Sequence, residues 1–144
     1  MSLSKHLNVQ QQAIEQLVHL LEQERVALAQ AKVDGERLQE LTASKQAVLL
    51  KLEQLEAIRS GAQLKLGYGA GRAGALKAAE DAECLAVWRE VQAWARRARE
   101  LNVANGAALK QRMAYNQRIV GFLNTVVGSK LYGPDGRTQR GEIE

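Results

Sequence analysis

The chain has 144 residues, the length of one ordinary domain with a buried core. Its 46% of hydrophobic and 25% of charged residues exclude a disordered chain, and no apolar run approaches the roughly 18–20 residues that a stable membrane insertion needs. The formal charge of +4 is uneven, because residues 1–60 carry seven Lys or Arg against eight Asp or Glu while the remainder is basic.

The start of the chain and its single cysteine bear on the compartment. The segment MSLSKHLNVQQQ has neither the apolar core nor the small-residue cleavage site of a signal peptide. Cys84 has no second cysteine with which to form a disulfide, and a lone thiol is typical of a reducing compartment. We therefore expect a cytoplasmic protein.

Residues 3–60 form the predicted first helical half. The composition, rich in Leu, Ala, Gln and Glu, favours helix. Apolar residues recur every seven positions, at Leu7, Ile14, Leu21 and Leu28. This heptad repeat predicts a helix that packs lengthwise on a partner helix.

The heptad repeat slips near the middle of this half. Along such a seam, apolar residues follow one another in alternating steps of three and four. The step from Leu38 to Leu41 is a second consecutive step of three, so the alternation is broken there, close to Asp34–Gly35. Such a slip either overwinds a continuous helix or accompanies a tight reversal of the chain at Asp-Gly. The sequence leaves both alternatives open.

Residues 61–74 are predicted to form a mobile glycine-rich loop or hinge, which begins at a break at Ser60–Gly61. A second helical half is predicted over residues 75–128. It has a weak point at Asn102–Gly106, where a new helix starts or the first one runs on. Residues 129–144 are predicted to be a turn and a polar tail.

The two helical halves have nearly equal lengths, and no segment alternates as a strand does. We therefore predict a single all-α domain over residues 1–144. Its architecture is an elongated up-and-down antiparallel bundle or coiled coil of long helices. It has four helical segments, which merge into two or three long helices if the chain stays helical at the weak points.

The residues that could carry chemistry indicate no catalytic, metal or cofactor site. Gly69–Gly74 spells G-x-G-x-x-G, but the dinucleotide fingerprint needs a buried strand before it, and charged helical residues precede it here. His6 and His19 lie on a charged helix without cysteine partners, so we expect surface residues. Cys84 fits a half-buried structural thiol. The sequence therefore predicts a protein that is not an enzyme.

The segment WREVQAWARRARE mixes tryptophans with arginines, a combination that can bind nucleic acid through stacking and phosphate contacts. However, Trp88, Val91 and Ala98 fall on one helical face, while most of the arginines fall elsewhere. This arrangement favours core tryptophans behind a basic solvent face, and no nucleic-acid partner is expected.

The last predicted helix has two apolar rows. One contains Leu109, Met113, Val120, Leu123 and Val127, and the other contains Ile119, Phe122 and Val126. One row is enough to dock on a bundle, whereas two rows need two partners. The second partner is either a neighbouring helix of the same bundle or another protein. After this helix, Gly133–Gly136 has the pattern of a β-turn.

Taken together, these segments resemble the FlgN family of flagellar type III export chaperones. The resemblance covers nearly the whole chain and includes LLEQERVAL (20–28), LTASKQAVLLKLEQLEAIR (41–59), LNVANGAAL (101–109) and LYGPDGRTQ (131–139). Its most specific parts are the Asn-x-x-Asn-Gly element and the later Leu-Tyr-Gly-x-x-Gly element, in that order.

The resemblance implies a small, cytoplasmic, all-helical chaperone that works without ATP or a cofactor. Such chaperones bind the C-terminal helical regions of the hook–filament junction proteins FlgK and FlgL. They prevent the premature association of these clients and deliver them to the export gate component FlhA. The resemblance has no counterpart for the glycine string 67–74, so it implies nothing there.

The resemblance also implies which residues act. Client binding is associated with the C-terminal helix, here Ile119, Val120, Phe122, Leu123, Val126 and Val127. Docking on the export gate is associated with a tyrosine near the chain end, here Tyr132. We expect a monomer or weak dimer when free. The alternative is a structural helical adaptor or coiled-coil oligomer without a role in secretion.

Overall fold

The computed structural model describes residues 2–127, with the side chains of 112–117, 119, 120, 122 and 127 excepted. Within this range the chain forms four helices: α1 (Leu3–Leu28), α2 (Gly35–Lys65), α3 (Arg72–Asp81) and α4 (Leu85–Val127). The predicted all-α class is confirmed, and no strand occurs in residues 2–127.

Helices α1 and α2 form an antiparallel hairpin. The four heptad leucine and isoleucine residues of α1 are all buried, as their spacing predicts. The chain reverses between Leu28 and Gly35, so the reversal is the correct alternative at Asp34–Gly35. The Asp34 carboxylate accepts hydrogen bonds from the backbone N–H groups of Glu36 and Arg37, both at 3.1 Å. Asp34 therefore caps the start of α2.

The core lies along one side of α1, where the first part of α4 packs. One apolar cluster joins α1 to α4 and contains Ile14, Val18, Leu21, Val91, Ala98 and Leu101. A second cluster joins the start of α1 to the end of α3 and contains Leu7, Ala79 and Cys84. The partly buried Trp88 and Trp94 pack against the first cluster, which confirms that these tryptophans belong to the core.

The connection from α2 to α3 differs from the sequence-based prediction. Helix α2 runs through Gly61 to Lys65, and α3 begins at Arg72 rather than near Ala75. A glycine inside a helix costs only about 1 kcal/mol relative to alanine. Here Gln63, one turn beyond the predicted break, is buried and makes contacts that keep the last turn of α2 helical.

The loop 66–71 is shorter than the predicted loop 61–74, and side chains bond to it at several points. The Gln63 amide donates to the carbonyl oxygens of Gly69 (2.6 Å) and Gly71 (3.2 Å). The Tyr68 hydroxyl donates to the Asp81 carboxylate at 2.8 Å. The backbone can turn this sharply because Gly67, Gly69 and Gly71 have φ values of 87°, 79° and 98°.

A second interruption of the helical structure lies between α3 and α4, and its residues include no glycine or proline. Glu83 adopts a left-handed φ of 55°, which is unfavourable for a residue with a side chain. The N–H of Cys84 donates to the carbonyl of Ala79 at 2.9 Å, which closes the end of α3. The same turn buries Cys84 against Leu7. Burial of this thiol offsets the cost of the backbone conformation.

Helix α4 is continuous through Asn102–Gly106, so at this weak point the helix runs on. The chain nevertheless divides into two compact units, Met1–Asn105 and Gly106–Glu144. Helices α1, α2 and α3 and the first part of α4 belong to the first unit. The described part of the second unit is the helical stretch 106–127.

Asn105 is the last residue of the first unit and is fastened to two helices. Its side-chain amide donates to the Leu21 carbonyl and to the Glu24 carboxylate, both at 2.9 Å. The other oxygen of Glu24 accepts from the Lys45 ammonium at 2.7 Å. A buried polar network therefore joins α4, α1 and α2.

The network gives a stability prediction. Asn105→Ala should lower the free energy of unfolding by about 1–3 kcal/mol, because it removes the donor to a buried oxygen of the Glu24 carboxylate. Asn102→Ala, at an exposed position one turn earlier, is the matched control and should stabilise by up to about 0.7 kcal/mol through helix propensity. Urea unfolding followed by circular dichroism measures both, and equal stabilities would contradict a structural role for Asn105.

The glycine loop gives a second prediction. A Cβ at Gly74 would lie 2.6 Å from the carbonyl oxygens of Tyr68 and Gly69, whereas a Cβ at helical Gly61 would contact nothing within 4 Å. Gly74→Ala should therefore destabilise by about 1–3 kcal/mol, and Gly61→Ala should stabilise by about 0.5–1 kcal/mol. Thermal unfolding of the two variants decides the matter, since a flexible loop would tolerate both substitutions.

Candidate protein-binding surfaces

The C-terminal part of α4 holds the predicted client-binding residues. The helix extends to Val127, so the six residues between Ile119 and Val127 share one helical segment. Leu123 is 52% exposed and Val126 is 64% exposed. Side chains three positions apart are neighbours on a helix surface. Leu123 and Val126 therefore form an exposed apolar pair.

The remaining predicted site residues lie outside the described side chains. This holds for Ile119, Val120, Phe122 and Val127, whose backbone alone is described, and for Tyr132, which follows the last described residue. Within the same helical turn, the Thr125 hydroxyl donates to the Gly121 carbonyl at 3.0 Å. Thr125 thus bonds its own helix one turn back. The assignment of the client-binding face and of the docking tyrosine stays a prediction.

His6 is buried, so the prediction that it is a surface residue is wrong. Its ring nitrogen Nε2 lies 2.8 Å from the Leu55 carbonyl oxygen. Because a carbonyl only accepts, the nitrogen donates. The neighbouring Gln10 amide donates to the Glu56 carboxylate at 3.0 Å. These bonds hold the start of α1 on the end of α2, which the alternation of polar residues did not reveal. His19 is exposed, as predicted.

Arg59 is the centre of the polar contacts at this end of the hairpin. It donates two hydrogen bonds to the Glu56 carboxylate, at 2.9 and 2.8 Å, and one to the Gln63 side-chain oxygen at 2.7 Å. Its guanidinium also lies 4.8 Å from the ring centroid of Trp88 on α4. Arg59 therefore connects α2 to α4 and is fully engaged within the fold.

Glu56 is held in its charged form by this arrangement. The hydrogen bonds from Arg59 lower the pKa of the Glu56 carboxyl, partial burial opposes that shift, and the hydrogen bond from Gln10 adds to it. A carboxylate with a lowered pKa and two donors is a structural ion-pair partner. It lacks the raised pKa that a general acid at neutral pH requires.

Cys84 is buried more completely than predicted, with 4% of its surface exposed. Burial raises the pKa of the Cys84 thiol. The thiolate is the nucleophilic form, and this environment disfavours it. Cys84 therefore fills space in the apolar cluster with Leu7 and Ala79.

The arginines of the tryptophan-bearing helix lie on the solvent side. Arg97 pairs with Glu22 of α1 at 3.1 Å, with both side chains about half exposed. Arg89, Arg96 and Arg99 are exposed, while Trp88 and Trp94 pack inward. Base stacking needs an accessible aromatic face. The tryptophans are therefore largely engaged in the apolar cluster, while the arginines lie at the surface.

Metal and membrane sites can be judged for the described part of the chain. In residues 2–127 no group of three His, Cys, Asp or Glu side chains is placed to hold a metal ion. No helix within those residues has both the length and the apolar composition to cross a membrane.

The chain is similar to known proteins along almost all of its length. The model of one protein family, described as FlgN protein, matches residues 1–140. Two relatives, both called Flagella synthesis protein FlgN, come from Yersinia enterocolitica and from its serotype O:8 / biotype 1B strain. Each is 28% identical over 137 residues, which cover 95% of this chain and 89% of the relative.

No solved structure matches the chain. The family match nevertheless covers the first unit and extends through the C-terminal helical segment of the second unit. It confirms the resemblance drawn from the sequence elements around Asn105 and Tyr132. The chain belongs to the FlgN family.

Proposed function

We propose that the protein is a cytoplasmic, ATP-independent flagellar export chaperone. It binds the C-terminal helical regions of the junction proteins FlgK and FlgL, prevents their premature association, and delivers them to the export gate component FlhA. Its relatives of the FlgN family are named for flagella synthesis. The observation that carries the proposal is the exposed apolar pair Leu123 and Val126 on the C-terminal helix.

A secreted subunit that assembles through its helices needs those helices covered before export. An exposed apolar helical face covers them by removing apolar surface from water, at roughly 25 cal/mol per Å². Part of this gain is offset by the costs of association and of ordering side chains. The remaining affinity is moderate, which suits a client that is released without ATP.

The client-binding residues are Ile119, Val120, Phe122, Leu123, Val126 and Val127. At 100° per residue, Phe122 and Val126 lie about 40° apart on one side of the helix. Val126 is 64% exposed, so a charge placed there does not enter the core of the protein. A charge at Val126 can therefore disrupt the contact with a client without unfolding the first unit.

The double substitution Phe122→Asp with Val126→Asp should weaken binding of a C-terminal FlgK fragment by at least about 100-fold, because two apolar side chains contribute roughly 1.5–3 kcal/mol each when buried. Isothermal titration calorimetry measures the loss, and circular dichroism checks helix content. Thr125→Asp is the control for charge, since it adds one negative charge, half of that in the double variant, to an exposed position of the same helical segment.

Wild-type affinity in the double variant would remove this helical face from the proposed function. If wild-type protein instead sediments as a concentration-independent oligomer, and the double variant is a monomer, the residues serve self-association. That result would favour the structural adaptor over the chaperone.

Tyr132 is the proposed docking residue for the export gate. Tyr132→Ala should leave the affinity for the FlgK fragment unchanged and lower the affinity of the chaperone–client complex for the cytoplasmic domain of FlhA by at least about tenfold, since aromatic anchors are common hot spots. Pull-down and calorimetry with each partner measure the two affinities. Tyr132→Phe is the control that separates the ring from the hydroxyl. Loss of client binding in Tyr132→Ala would show that the role is assigned to the wrong partner.

A further inference from the structure

An apolar groove runs along α1 between α2 and α4, entirely within the first unit. Leu17 and Leu21 form its floor at one end, and Ile14 and Leu17 form its floor at the other. The two ends are cavities of about 440 and about 360 Å³ that share Leu17 and Ala98 in their walls. The two cavities are therefore parts of one groove.

The dimensions of the groove suit one α-helix. Its lining extends along α1 from Gln10 to Leu21, which is about 16 Å at ~1.5 Å per residue, or three turns. Leu49 and Leu52 of α2 form one wall, and Ala95 and Ala98 of α4 form the other. Trp88 and Val91 also line the α4 wall, so both walls offer apolar surface to the apolar face of an additional helix.

The rim on the α4 side is basic. Arg99 lines the groove, and Arg96 lies about 60° away on the same helix at 100° per residue. Both are exposed, and neither forms an ion pair with a carboxylate within residues 2–127. Arg99 therefore borders the groove as an uncompensated cation, and Arg96 lies one turn earlier on α4, outside the groove lining.

The charges on the α2 side are neutralised within the fold. Lys45 at one end is paired with Glu24 at 2.7 Å, and Glu56 at the other end is paired with Arg59 at 2.8 Å. Thr42 and Gln46 complete this rim. The charge asymmetry therefore specifies an occupant with acidic side chains on the flank that faces α4.

We propose that this groove binds an amphipathic helix of a partner protein, which buries its apolar face on Leu17 and Leu49 and directs acidic side chains towards Arg96 and Arg99. The inference goes beyond the proposed function, because it concerns a surface of the first unit and uses no residue after Asn105. It gives the protein a second docking surface, separate from the C-terminal helix.

A pair of synthetic peptides tests the proposal directly. Both are lactam-bridged amphipathic helices of about 18 residues with the same leucine face. One carries Glu along its polar flanks and its twin carries Lys. Trp88 lines the groove, so tryptophan fluorescence and calorimetry report binding. The acidic peptide should bind at least about tenfold more tightly than its lysine twin, and added salt should lower its affinity.

Charge reversal tests the role of the arginines. Arg96→Glu with Arg99→Glu should reverse the preference, so that the lysine peptide binds more tightly. Lys51→Glu is the control, because Lys51 is exposed on α2 and does not line the groove. An unchanged preference in the arginine variant would overturn the proposal.

Two neighbouring leucines provide a matched pair for the apolar contact. Leu49 is 48% exposed and lines the groove, whereas Leu50 is 58% exposed and does not. Leu49→Ser should weaken binding of the acidic peptide at least about fivefold, because the peptide would no longer bury the leucine side chain. Leu50→Ser should leave the affinity for the peptide unchanged. Equal effects of the two substitutions would place the peptide elsewhere and contradict the proposal.

Other occupants have distinct signatures. A dimer that Leu49→Ser dissociates in sedimentation would mean that a second copy of the chain fills the groove, and it would overturn the proposal. So would displacement of the acidic peptide by a single-stranded oligonucleotide. The variant Phe122→Asp with Val126→Asp should bind the acidic peptide normally. If that variant loses binding of the FlgK fragment but keeps binding of the acidic peptide, the C-terminal helix and the groove are shown to bind independently.

Discussion

The hydrogen bonds of the buried Asn105 amide fix the arrangement of the helices in the first unit. Heptad leucines alone fix the register of two helices weakly, because a shift of one heptad again places leucine against leucine. The Asn105 amide can bond both the Leu21 carbonyl and Glu24 in one register only. Any shift would leave the buried Asn105 amide without its partners, at a cost of about 1–3 kcal/mol. Lys45 extends the same constraint to α2.

A second network constrains the opposite end of the hairpin. Arg59 binds Glu56 and Gln63 on its own helix and lies over Trp88 of α4, while Gln63 holds the loop that leads to α3. The apolar groove lies between the two networks. Leu17 and Leu49 line this groove and stay accessible between α2 and α4.

The sequence predicted the parts of the fold that follow from periodicity. The heptad leucines of α1 are an example, since they depend on neighbours in the sequence, and the reversal at Asp34–Gly35 was one of the two alternatives that the sequence left open. It did not predict the buried His6 or the left-handed Glu83, because these depend on Leu55 and Leu7, which lie far along the chain. It did not predict the helical Gly61 either, because no sequence pattern marks the side-chain contacts of Gln63 at the end of α2. The groove is of the same kind, since three separate segments form it. Nothing in the local sequence around Leu49 distinguishes it from Leu50.

The two proposed surfaces differ in how they would hold a partner. The client-binding face proposed for the C-terminal helix would hold a partner through apolar residues, whereas the groove would add charge, which salt screens within about 8–10 Å. When two modest contacts engage one partner, the second is effectively intramolecular and the combined affinity rises by about 10²–10⁴. Breaking either contact returns the complex to modest affinity. An export chaperone that used both proposed surfaces on one client would hold it firmly and would release it once a competing partner took one of them.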